Sequence, residues 1–253
     1  MANDVIIDLK GVSKTFRDFW LRPTVQAVSD LSMSVKRGEV FGLLGPNGSG
    51  KSTTIKMILG LLRPSSGEVS LFGFSPEAKE SRRRIGYLPE NSYLHPYLTA
   101  RETFEYYAGL ASLSRKESRL RSDQLLEMMG MTSYAERAVG SFSKGMARRV
   151  ALGSALIGKP ELLILDEPTS GLDPVSTKEV KDLIASLSAG GMTVLTTSHM
   201  LSDSEDICSR VMILNQGRKV AEGLVSELGT SLETFFLKNV GEGKSLEIAE
   251  FLK

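Results

Sequence analysis

Cysteine is almost absent from this sequence, and histidine is scarce. The 253 residues include one cysteine, Cys208, and two histidines. A single cysteine forms no internal disulfide, and so few cysteines and histidines provide no framework for a structural zinc ion. The composition therefore favours a protein of a reducing compartment, and we expect a cytoplasmic location.

Net charge is also lacking. The chain has 31 basic and 30 acidic side chains, which gives a formal net charge of +1. A chain with this balance has no overall field that attracts nucleic acid or an anionic bilayer. We expect no nucleic-acid partner, and any other partner has to be recognised through local sites.

Long apolar segments are missing as well. Nowhere do about 18 apolar residues follow one another without a charge, which is the length that crosses a bilayer. Residues 1–4 have neither the basic region nor the apolar core of a secretory signal. We expect a chain that is not exported and does not span a membrane. Its hydrophobic content of 41% is sufficient for a sizeable core.

Short apolar segments, bounded by glycine, proline or polar residues, recur along the chain as buried strands do. They lie at residues 5–9, 40–44, 162–165, 194–197 and 211–214. Helical patterns separate several of them, for example residues 55–62 and 180–187. Alternation of this kind predicts an α/β fold with a mainly parallel core sheet.

Two regions depart from that alternation. Residues 99–158 contain no strand-like segment, only charged stretches with leucine and methionine at helical spacing, which predicts an inserted α-helical subdomain. Near the end, two short apolar segments flank residues 215–218, Asn-Gln-Gly-Arg, which predicts an antiparallel hairpin at a sheet edge. We expect one domain over residues 1–223 and a short C-terminal extension over residues 224–253.

A phosphate-binding loop is the most specific motif in the chain. Residues 45–52 fit the pattern G-x-x-x-x-G-K-[ST] between a predicted strand and a predicted helix. Glycines let backbone N–H groups surround a triphosphate, and the helix N-terminus adds partial positive charge. Lys51 places an ammonium on the β- and γ-phosphates, while the Ser52 hydroxyl is a ligand for Mg²⁺. The residues assigned to nucleotide binding here are Gly45, Pro46, Asn47, Gly48, Ser49, Gly50, Lys51, Ser52 and Thr53.

Two acidic residues follow the apolar segment at residues 162–165. Phosphoryl transfer needs one carboxylate near the metal and another near the attacking water. We assign Asp166 to Mg²⁺ through a water molecule, and Glu167 as the general base or as the residue that orients the attacking water. The alternative is that both acids only cap the next segment. His199 follows the segment at residues 194–197, and a lone histidine is more often a structural hydrogen bonder.

These motifs, in this order, resemble those of ABC transporter nucleotide-binding subunits over roughly residues 5–223. Residues 142–146, Phe-Ser-Lys-Gly-Met, are similar to the family's signature, and residues 170–173, Ser-Gly-Leu-Asp, to its D-loop. Residues 197–199, Thr-Ser-His, are similar to its switch histidine segment. The fold that the resemblance implies is that of a P-loop NTPase with a mainly parallel core sheet, an antiparallel β edge and an inserted α-helical subdomain.

The resemblance also implies roles for individual residues. The nucleotide it implies is ATP with Mg²⁺, and it assigns a catalytic role to His199. Phe16 is similar to the aromatic residue that stacks on adenine, although an aromatic residue at a strand end is also a common core anchor. In a head-to-tail dimer, the signature residues Ser143, Lys144 and Gly145 face the ATP of the other chain, and Asp173 lies in the dimer loop. A plain helix N-cap would explain the residue type of Ser143 but not its place before the acid strand.

Two positions differ from the commonest family pattern. Glu90 stands where glutamine is usual, and its carboxylate is a candidate Mg²⁺ ligand. Lys144 stands where glycine is usual in the signature. Both variants resemble an ABC-2 type subgroup of prokaryotic exporter ATPases, related to drug, antibiotic and sodium efflux, whose membrane partners are separate chains.

Two other features have no assigned role. Residues 17–24 form a loop whose aromatic side chains either pack on the sheet edge or contact a partner. The basic runs at residues 82–84 and 148–149 are expected to be solvated faces.

The resemblance implies an ATP-hydrolysing subunit that works as a homodimer or heterodimer and powers export through a separate membrane-spanning permease. It would then lie on the cytoplasmic face of the membrane. The alternative is a soluble ABC-type ATPase acting on ribosomes or DNA. Such relatives usually carry tandem cassettes or a long insertion, whereas this chain has one copy of each motif. The cargo is not readable, because its contacts would lie in the permease.

Overall fold

The computed structural model describes residues 4–20 and 22–240. The strands in this part of the chain are β1 (Val5–Arg17), β2 (Pro23–Lys36), β3 (Val40–Leu44), β4 (Ser66–Leu71), β5 (Ile85–Leu88), β6 (Leu162–Leu165), β7 (Thr193–Ser198), β8 (Arg210–Asn215) and β9 (Arg218–Leu224). The helices are α1 (Lys51–Ile58), α2 (Lys79–Arg82), α3 (Ala100–Leu110), α4 (Arg115–Met128), α5 (Lys144–Leu156), α6 (Pro174–Ala189), α7 (Leu201–Ile207) and α8 (Leu232–Val240).

The central sheet has six strands in the order β5-β6-β7-β3-β8-β9. All pairings are parallel except that of β8 with β9, which is antiparallel. Gln216 and Gly217 join β8 to β9 with φ angles of 48° and 77°, the left-handed geometry that a two-residue hairpin requires. The predicted α/β fold, with a parallel sheet and an antiparallel edge, is confirmed.

A second sheet has three antiparallel strands in the order β2-β1-β4. The sequence indicated a strand only at residues 5–9 of this sheet, whereas β1 extends to Arg17. The outer half of β1 and most of β4 are exposed or half-buried, so they lack the continuous apolar run of a core strand. Periodicity therefore did not predict this sheet as a separate layer.

The core lies on both faces of the central sheet. Strands β3, β6 and β7 are buried at every position, as expected for parallel strands covered on both sides. Phe41 and Leu43 of β3 join a cluster with α1 and the three-stranded sheet. Val40 and Leu44 point to the opposite face and join a cluster with α5 and α6. This packing fixes the ends of β3, β6 and β7, where the predicted site residues begin.

Residues 99–158, a stretch that is described throughout, contain α3, α4 and α5 and no strand. Capping boxes start two of these helices: Thr99 with Glu102 begins α3, and Ser114 with Glu117 begins α4. The helices pack closely, since a Cβ at Gly153 would lie 2.7 Å from the ring of Phe104. We call this group of helices the helical lobe, and its boundaries as a subdomain stay a prediction.

The C-terminal extension predicted over residues 224–253 begins at the end of β9 and includes α8. Residues 241–253 lie outside the described part of the chain, as do residues 1–3 at the start of the predicted domain. Over residues 4–20 and 22–240, none of the helices combines the length and the apolar character needed to cross a bilayer.

Candidate nucleotide site

The phosphate loop, residues 45–52, connects the end of β3 to the start of α1. Its backbone is left-handed at Gly48 and Gly50, with φ angles of 78° and 104°. A Cβ at Gly50 would lie 2.5 Å from the carbonyl oxygen of Ala27, and a Cβ at Gly45 would overlap the carbonyl of Leu214. Only glycine fits these two positions, so the turn that exposes the backbone N–H groups depends on residue type.

Two side chains show that this loop fits a phosphate chain. Lys51 is only 6% exposed, and its ammonium donates to the carbonyl oxygens of Gly45 at 2.7 Å and Pro46 at 3.3 Å. The hydroxyl of Ser49 is buried and has no hydrogen-bond partner. The ammonium lies 3.7 Å from the Glu167 carboxylate, beyond direct hydrogen-bond distance, and the Ser49 hydroxyl is unpartnered, so both would gain from phosphate oxygens.

A cavity of about 630 Å³ opens over the phosphate loop, and we call it the nucleotide cavity. The structure brings together here residues that are distant in sequence. Predicted site residues that line it are Phe16, Asn47, Gly48, Ser49, Gly50, Lys51, Ser52, Thr53, Glu90, Glu167 and His199. Phe16 is 40% exposed at the cavity rim, with the ammonium of Lys14 at 5.5 Å from its ring centre. An exposed ring at this place suits a stacking role better than that of a core anchor.

The acid turn, Asp166 and Glu167, follows β6. Glu167 has a φ angle of 50°, a left-handed conformation that costs a non-glycine residue roughly 1–3 kcal/mol. Its N–H donates to the hydroxyl oxygen of Thr197 at 3.0 Å, and that hydroxyl donates to Asp166 Oδ1 at 2.7 Å. One threonine on β7 therefore holds both acids, a role that the sequence analysis missed.

Glu167 is also held from the cavity side. Its Oε2 lies 2.7 Å from Nδ1 of His199 and accepts the backbone N–H of the same residue at 3.3 Å. Its Oε1 lies 3.7 Å from the ammonium of Lys51. The structure thus places His199 in contact with the predicted base, at the end of the neighbouring strand, while the side chain remains open to the cavity.

The expectation of a solvated face is wrong for Arg148, which is only 7% exposed. The physical reason is that Arg148 lies on the inner side of α5, where its guanidinium reaches two loops at once. It donates to carbonyl oxygens of the acid turn and of the segment after β5. Burial lowers the pKa of Arg148, and the carboxylates of Asp166, Glu90 and Glu167 oppose this shift. Arg82 and Arg83 are exposed as expected.

The predicted metal ligands are Ser52, Glu90 and Asp166. Ser52 and Glu90 line the nucleotide cavity, whereas Asp166 is 6% exposed and does not line it. In the described residues no group of three His, Cys, Asp or Glu side chains is placed to hold a metal ion. Mg²⁺ in proteins usually takes one or two carboxylates and completes its shell with water and phosphate oxygens. The donors present fit Mg²⁺ held jointly with a nucleotide.

The signature residues lie away from this chain's own nucleotide cavity. Ser143 caps α5, and its hydroxyl oxygen accepts the N–H of Met146 at 3.2 Å. A Cβ at Gly145 would overlap the hydroxyl of Ser176, so glycine allows α5 and α6 to approach closely. Neither Ser143, Lys144 nor Gly145 lines the cavity. Asp173 caps α6 by accepting the N–H groups of Val175 and Ser176.

Comparisons with known proteins point to one family. The model of the ABC transporter family matches residues 28–170. An uncharacterised ABC transporter ATP-binding protein of Nostoc sp. is 42% identical, over 91% of this chain and 69% of that protein. The linearmycin resistance ATP-binding protein LnrL of Bacillus subtilis is 42% identical, over 81% of this chain and 67% of that protein. The Nod factor export ATP-binding protein I of Burkholderia orbicola is 40% identical, over 88% and 74%.

Solved structures share the fold. The solved ATP-binding subunit of an ABC transporter is 30% identical to this chain and has a TM-score of 0.78. The match covers 93% of this chain and 100% of that subunit. A dimeric ATP-binding cassette, in a post-hydrolysis state bound to ADP and Pi, is 28% identical with a TM-score of 0.77. That match covers 87% of this chain and 99% of the cassette.

Proposed function

Because the chain belongs to the ABC transporter family, as an ATP-binding subunit that hydrolyses ATP, we propose that it powers export through a separate membrane-spanning permease. Relatives named for Nod factor export and for linearmycin resistance support the direction of transport. The observation that carries the ATP-driven part of the proposal is that the phosphate loop, Glu167 and His199 line the same cavity.

The chemistry follows from the placement of three side chains. Lys51 would bind the β- and γ-phosphates, and the loop N–H groups would orient the chain of phosphates. Glu167 would accept a proton from the water that attacks the γ-phosphorus, so that ADP and inorganic phosphate leave. His199, in contact with Glu167 Oε2, would hold that carboxylate toward the cavity. Bound Mg²⁺, held by Ser52 and the acids Glu90 and Asp166, would offset the phosphate charge.

We propose that two chains, identical or different, close head to tail when ATP binds. Support comes from Ser143, Lys144 and Gly145, which lie outside their own chain's nucleotide cavity. The N-terminus of α5, just behind them, would attract an anion through its backbone N–H groups and its dipole. In a head-to-tail pair these residues, with Asp173 nearby, would face the ATP of the other chain. A similar cassette, solved with ADP and Pi, is dimeric, which supports the pairing of two chains.

The permease contact is proposed for a groove of about 1000 Å³ between β5 and the helical lobe, which we call the partner groove. Its walls include Tyr87 and Pro89, just before Glu90, and Leu110 of α3. Ala151, Ser154 and Ala155 of α5 also line it. A segment seated in the groove would touch both the strand that leads to Glu90 and the helix that begins at the signature.

Charge indicates the chemistry of that segment. Lys79, Arg82 and Arg83 line one end of the partner groove, and the acidic residue there, Glu77, is paired with Arg63 at 2.7 Å. Three cations beside one carboxylate, which is already hydrogen-bonded to Arg63, leave a net positive charge that favours an acidic partner. We propose that an acidic, partly apolar segment of the permease occupies the groove, which would place this subunit on the cytoplasmic face of the membrane.

Site-directed cross-linking in cells tests this proposal. The native Cys208 is buried, and burial raises its thiol pKa to about 12, so it does not compete with an introduced cysteine. Tyr93→Cys and Leu110→Cys place thiols at positions that are 87% and 65% exposed in the partner groove. Lys219→Cys, on the edge strand β9, is the matched control.

The expected product joins a groove cysteine to a protein with several membrane spans, and the control gives none. Arg82→Glu with Arg83→Glu should reduce its yield. A product with a ribosomal or DNA-bound protein instead would support the soluble alternative and contradict the permease proposal.

A further inference from the structure

Arg148 is the one buried arginine side chain in the core of the described residues, and the nucleotide chemistry proposed above does not use it. It lies on α5, five residues after Ser143. At a rise of about 1.5 Å per residue, roughly 7.5 Å of helix separates the two Cα atoms along the axis. The proposed signature and Arg148 therefore lie on one short, rigid stretch of helix.

On one side the guanidinium holds the acid turn. Its Nη2 donates to the carbonyl oxygens of Asp166 at 3.1 Å and Glu167 at 2.7 Å. Its Nε donates to the carbonyl oxygen of Pro168 at 2.9 Å. These three consecutive carbonyls belong to the turn in which Glu167 adopts its left-handed φ angle of 50°.

On the other side the guanidinium holds the segment after β5. Its Nη1 donates to the carbonyl oxygens of Pro89 at 2.7 Å and Glu90 at 2.9 Å, and to the hydroxyl of Ser92 at 3.1 Å. Glu90 is the candidate metal ligand of the nucleotide cavity. All of these acceptors are neutral oxygens, so the guanidinium cross-links two loops without forming an ion pair with either.

Among side-chain cations, only a guanidinium can donate hydrogen bonds to both loops in this way. Arginine offers five N–H donors in a planar fork, and a lysine ammonium has three donors at one point. If the side chain were shortened, three buried carbonyl oxygens, two part-buried ones and one hydroxyl would lose a donor. The acid turn and the Glu90 segment would then be free to move relative to α5.

We infer that Arg148 is a positioning residue that couples the signature helix to the Glu90 segment and the acid turn of its own chain. Its consequence between sites rests on the proposed head-to-tail dimer: when the N-terminus of α5 meets the ATP of the other chain, displacement of α5 moves Glu90 and Glu167 together. Nucleotide binding at one composite site would then shift the catalytic groups of the other composite site.

The test uses purified chain and measures ATP hydrolysis, nucleotide affinity and thermal unfolding for three variants. Arg148→Gln removes the fork, and Arg148→Lys keeps the charge with fewer donors. Arg101→Gln is the matched control, because the Arg101 guanidinium also joins two partners, here the acids Asp123 and Glu136 of the helical lobe, and contacts neither the acid turn nor the Glu90 segment among the described residues.

For Arg148→Gln we expect kcat to fall by roughly 10-fold or more, since misplacing a catalytic group by about 1 Å costs up to about 10²-fold. Nucleotide affinity should stay within about twofold, because the phosphate loop is untouched. Arg148→Lys should lie between, and Arg101→Gln should keep a kcat within about twofold of the unmodified chain.

The inference is overturned if folded Arg148→Gln hydrolyses ATP at the unmodified rate, or if its kcat and nucleotide affinity fall together as they would from loosened packing. Should Arg148→Gln not fold, Arg148→Lys decides: a reduced kcat at unchanged affinity supports the inference, and an unmodified kcat contradicts it. Because the assay needs no permease, failure to find a membrane partner would reject the proposed function and leave this result standing.

Discussion

The phosphate loop and the acid turn meet in one cavity, but they are held in place by different means. The loop is one continuous segment: its glycines set the backbone, and Lys51 bonds back to Gly45 at 2.7 Å. The acid turn depends on partners that are remote in sequence. Thr197, 31 residues after Asp166, and Arg148, 18 residues before it, supply its hydrogen bonds.

This difference has a mechanical consequence. The loop is held mainly by its own residues, with one remote backbone hydrogen bond from the N–H of Gly217 to the carbonyl oxygen of Ser49 at 3.0 Å. A segment of this kind keeps its shape when most neighbouring elements shift, so the loop is suited to binding. A turn tied to β7 and α5 moves when either element moves, so it is suited to control of hydrolysis. Changes in the acid turn and its remote partners should therefore affect turnover more than nucleotide binding.

The largest expected effect is that of Glu167→Gln, which retains shape but removes the base. Hydrolysis should fall by about 10² or more, while ATP still binds to the intact loop. Steady-state turnover and equilibrium binding measure the two effects separately. If this variant hydrolyses ATP at the unmodified rate, Glu167 is not the base and the functional contrast between the two regions disappears.

Thr197→Val tests whether β7 holds the acid turn. The substitution leaves the Glu167 N–H without its acceptor and Asp166 without its donor. We expect a loss of about 1–3 kcal/mol in the free energy of unfolding. Turnover should fall by roughly 10-fold, because both acids would be displaced.

Chemical denaturation and turnover assays check both numbers, and Thr197→Ser should restore them. The matched control is Thr196→Val: Thr196 is also buried, and its hydroxyl contacts only the carbonyl of Thr197, at 3.5 Å, among the described residues. Equal behaviour of the two valine variants would show that β7 does not hold the acids.

Glu90→Gln tests the segment that Arg148 ties to the acid turn. Because a carboxylate binds Mg²⁺ more strongly than an amide does, the variant should need more Mg²⁺ for half-maximal activity, by a factor of a few. Its preference between Mg²⁺ and Mn²⁺ should also change. Metal titrations of activity that superimpose on those of the unmodified chain would place Glu90 outside the coordination sphere.

The smallest expected effect concerns the opposite end of β6 from the acid turn. Hydrogen bonds from Arg84 and Arg37 lower the pKa of Glu161 from 4.5 to about 2. A carboxylate with a lowered folded-state pKa stabilises the fold above its ordinary pKa, and this contribution is lost as pH falls toward the folded value. Glu161→Gln should therefore be slightly less stable at pH 7, and the difference should vanish between about pH 4.5 and pH 2.

Thermal unfolding across pH measures this difference, and ATP turnover at pH 7 should remain unchanged. Loss of turnover in Glu161→Gln would mean that the whole of β6, and not its carboxyl end alone, sets the position of the acids.

The same contrast explains what the sequence could predict. The loop, the acid pair and His199 were recognisable because each is a short motif at the end of a strand pattern. Arg148 and Thr197 were not, because their partners are brought near only by folding. A signal for Arg148 was present, since it shares the buried face of α5 with Gly145 and Leu152 at spacings of three and four residues. An arginine on such a face is a candidate for a buried structural contact.

For the fold, the parallel sheet and the β8-β9 hairpin were predicted because their strands are continuously apolar or joined by a typical turn. The three-stranded sheet was missed as a layer because β4 is largely exposed and β1 is only partly buried. The loop at residues 17–24 stays without an assigned role. Phe19 and Trp20 there are 91% and 72% exposed, and Leu21 lies outside the described residues.

Mixing two defective chains tests the shared site most directly. Lys51→Ala breaks the phosphate loop of one chain, and Ser143→Arg blocks the signature of the other. In a head-to-tail heterodimer both lesions fall in the same composite site, so the second site is intact. Each variant alone forms only dimers with two broken sites.

The mixture should therefore recover ATP occlusion, at about half the unmodified stoichiometry per dimer, where neither variant alone occludes ATP. Heterodimer formation is verified with two different affinity tags. If heterodimers form and no occlusion returns, the two chains do not share their sites, and Ser143 is only the N-cap of α5.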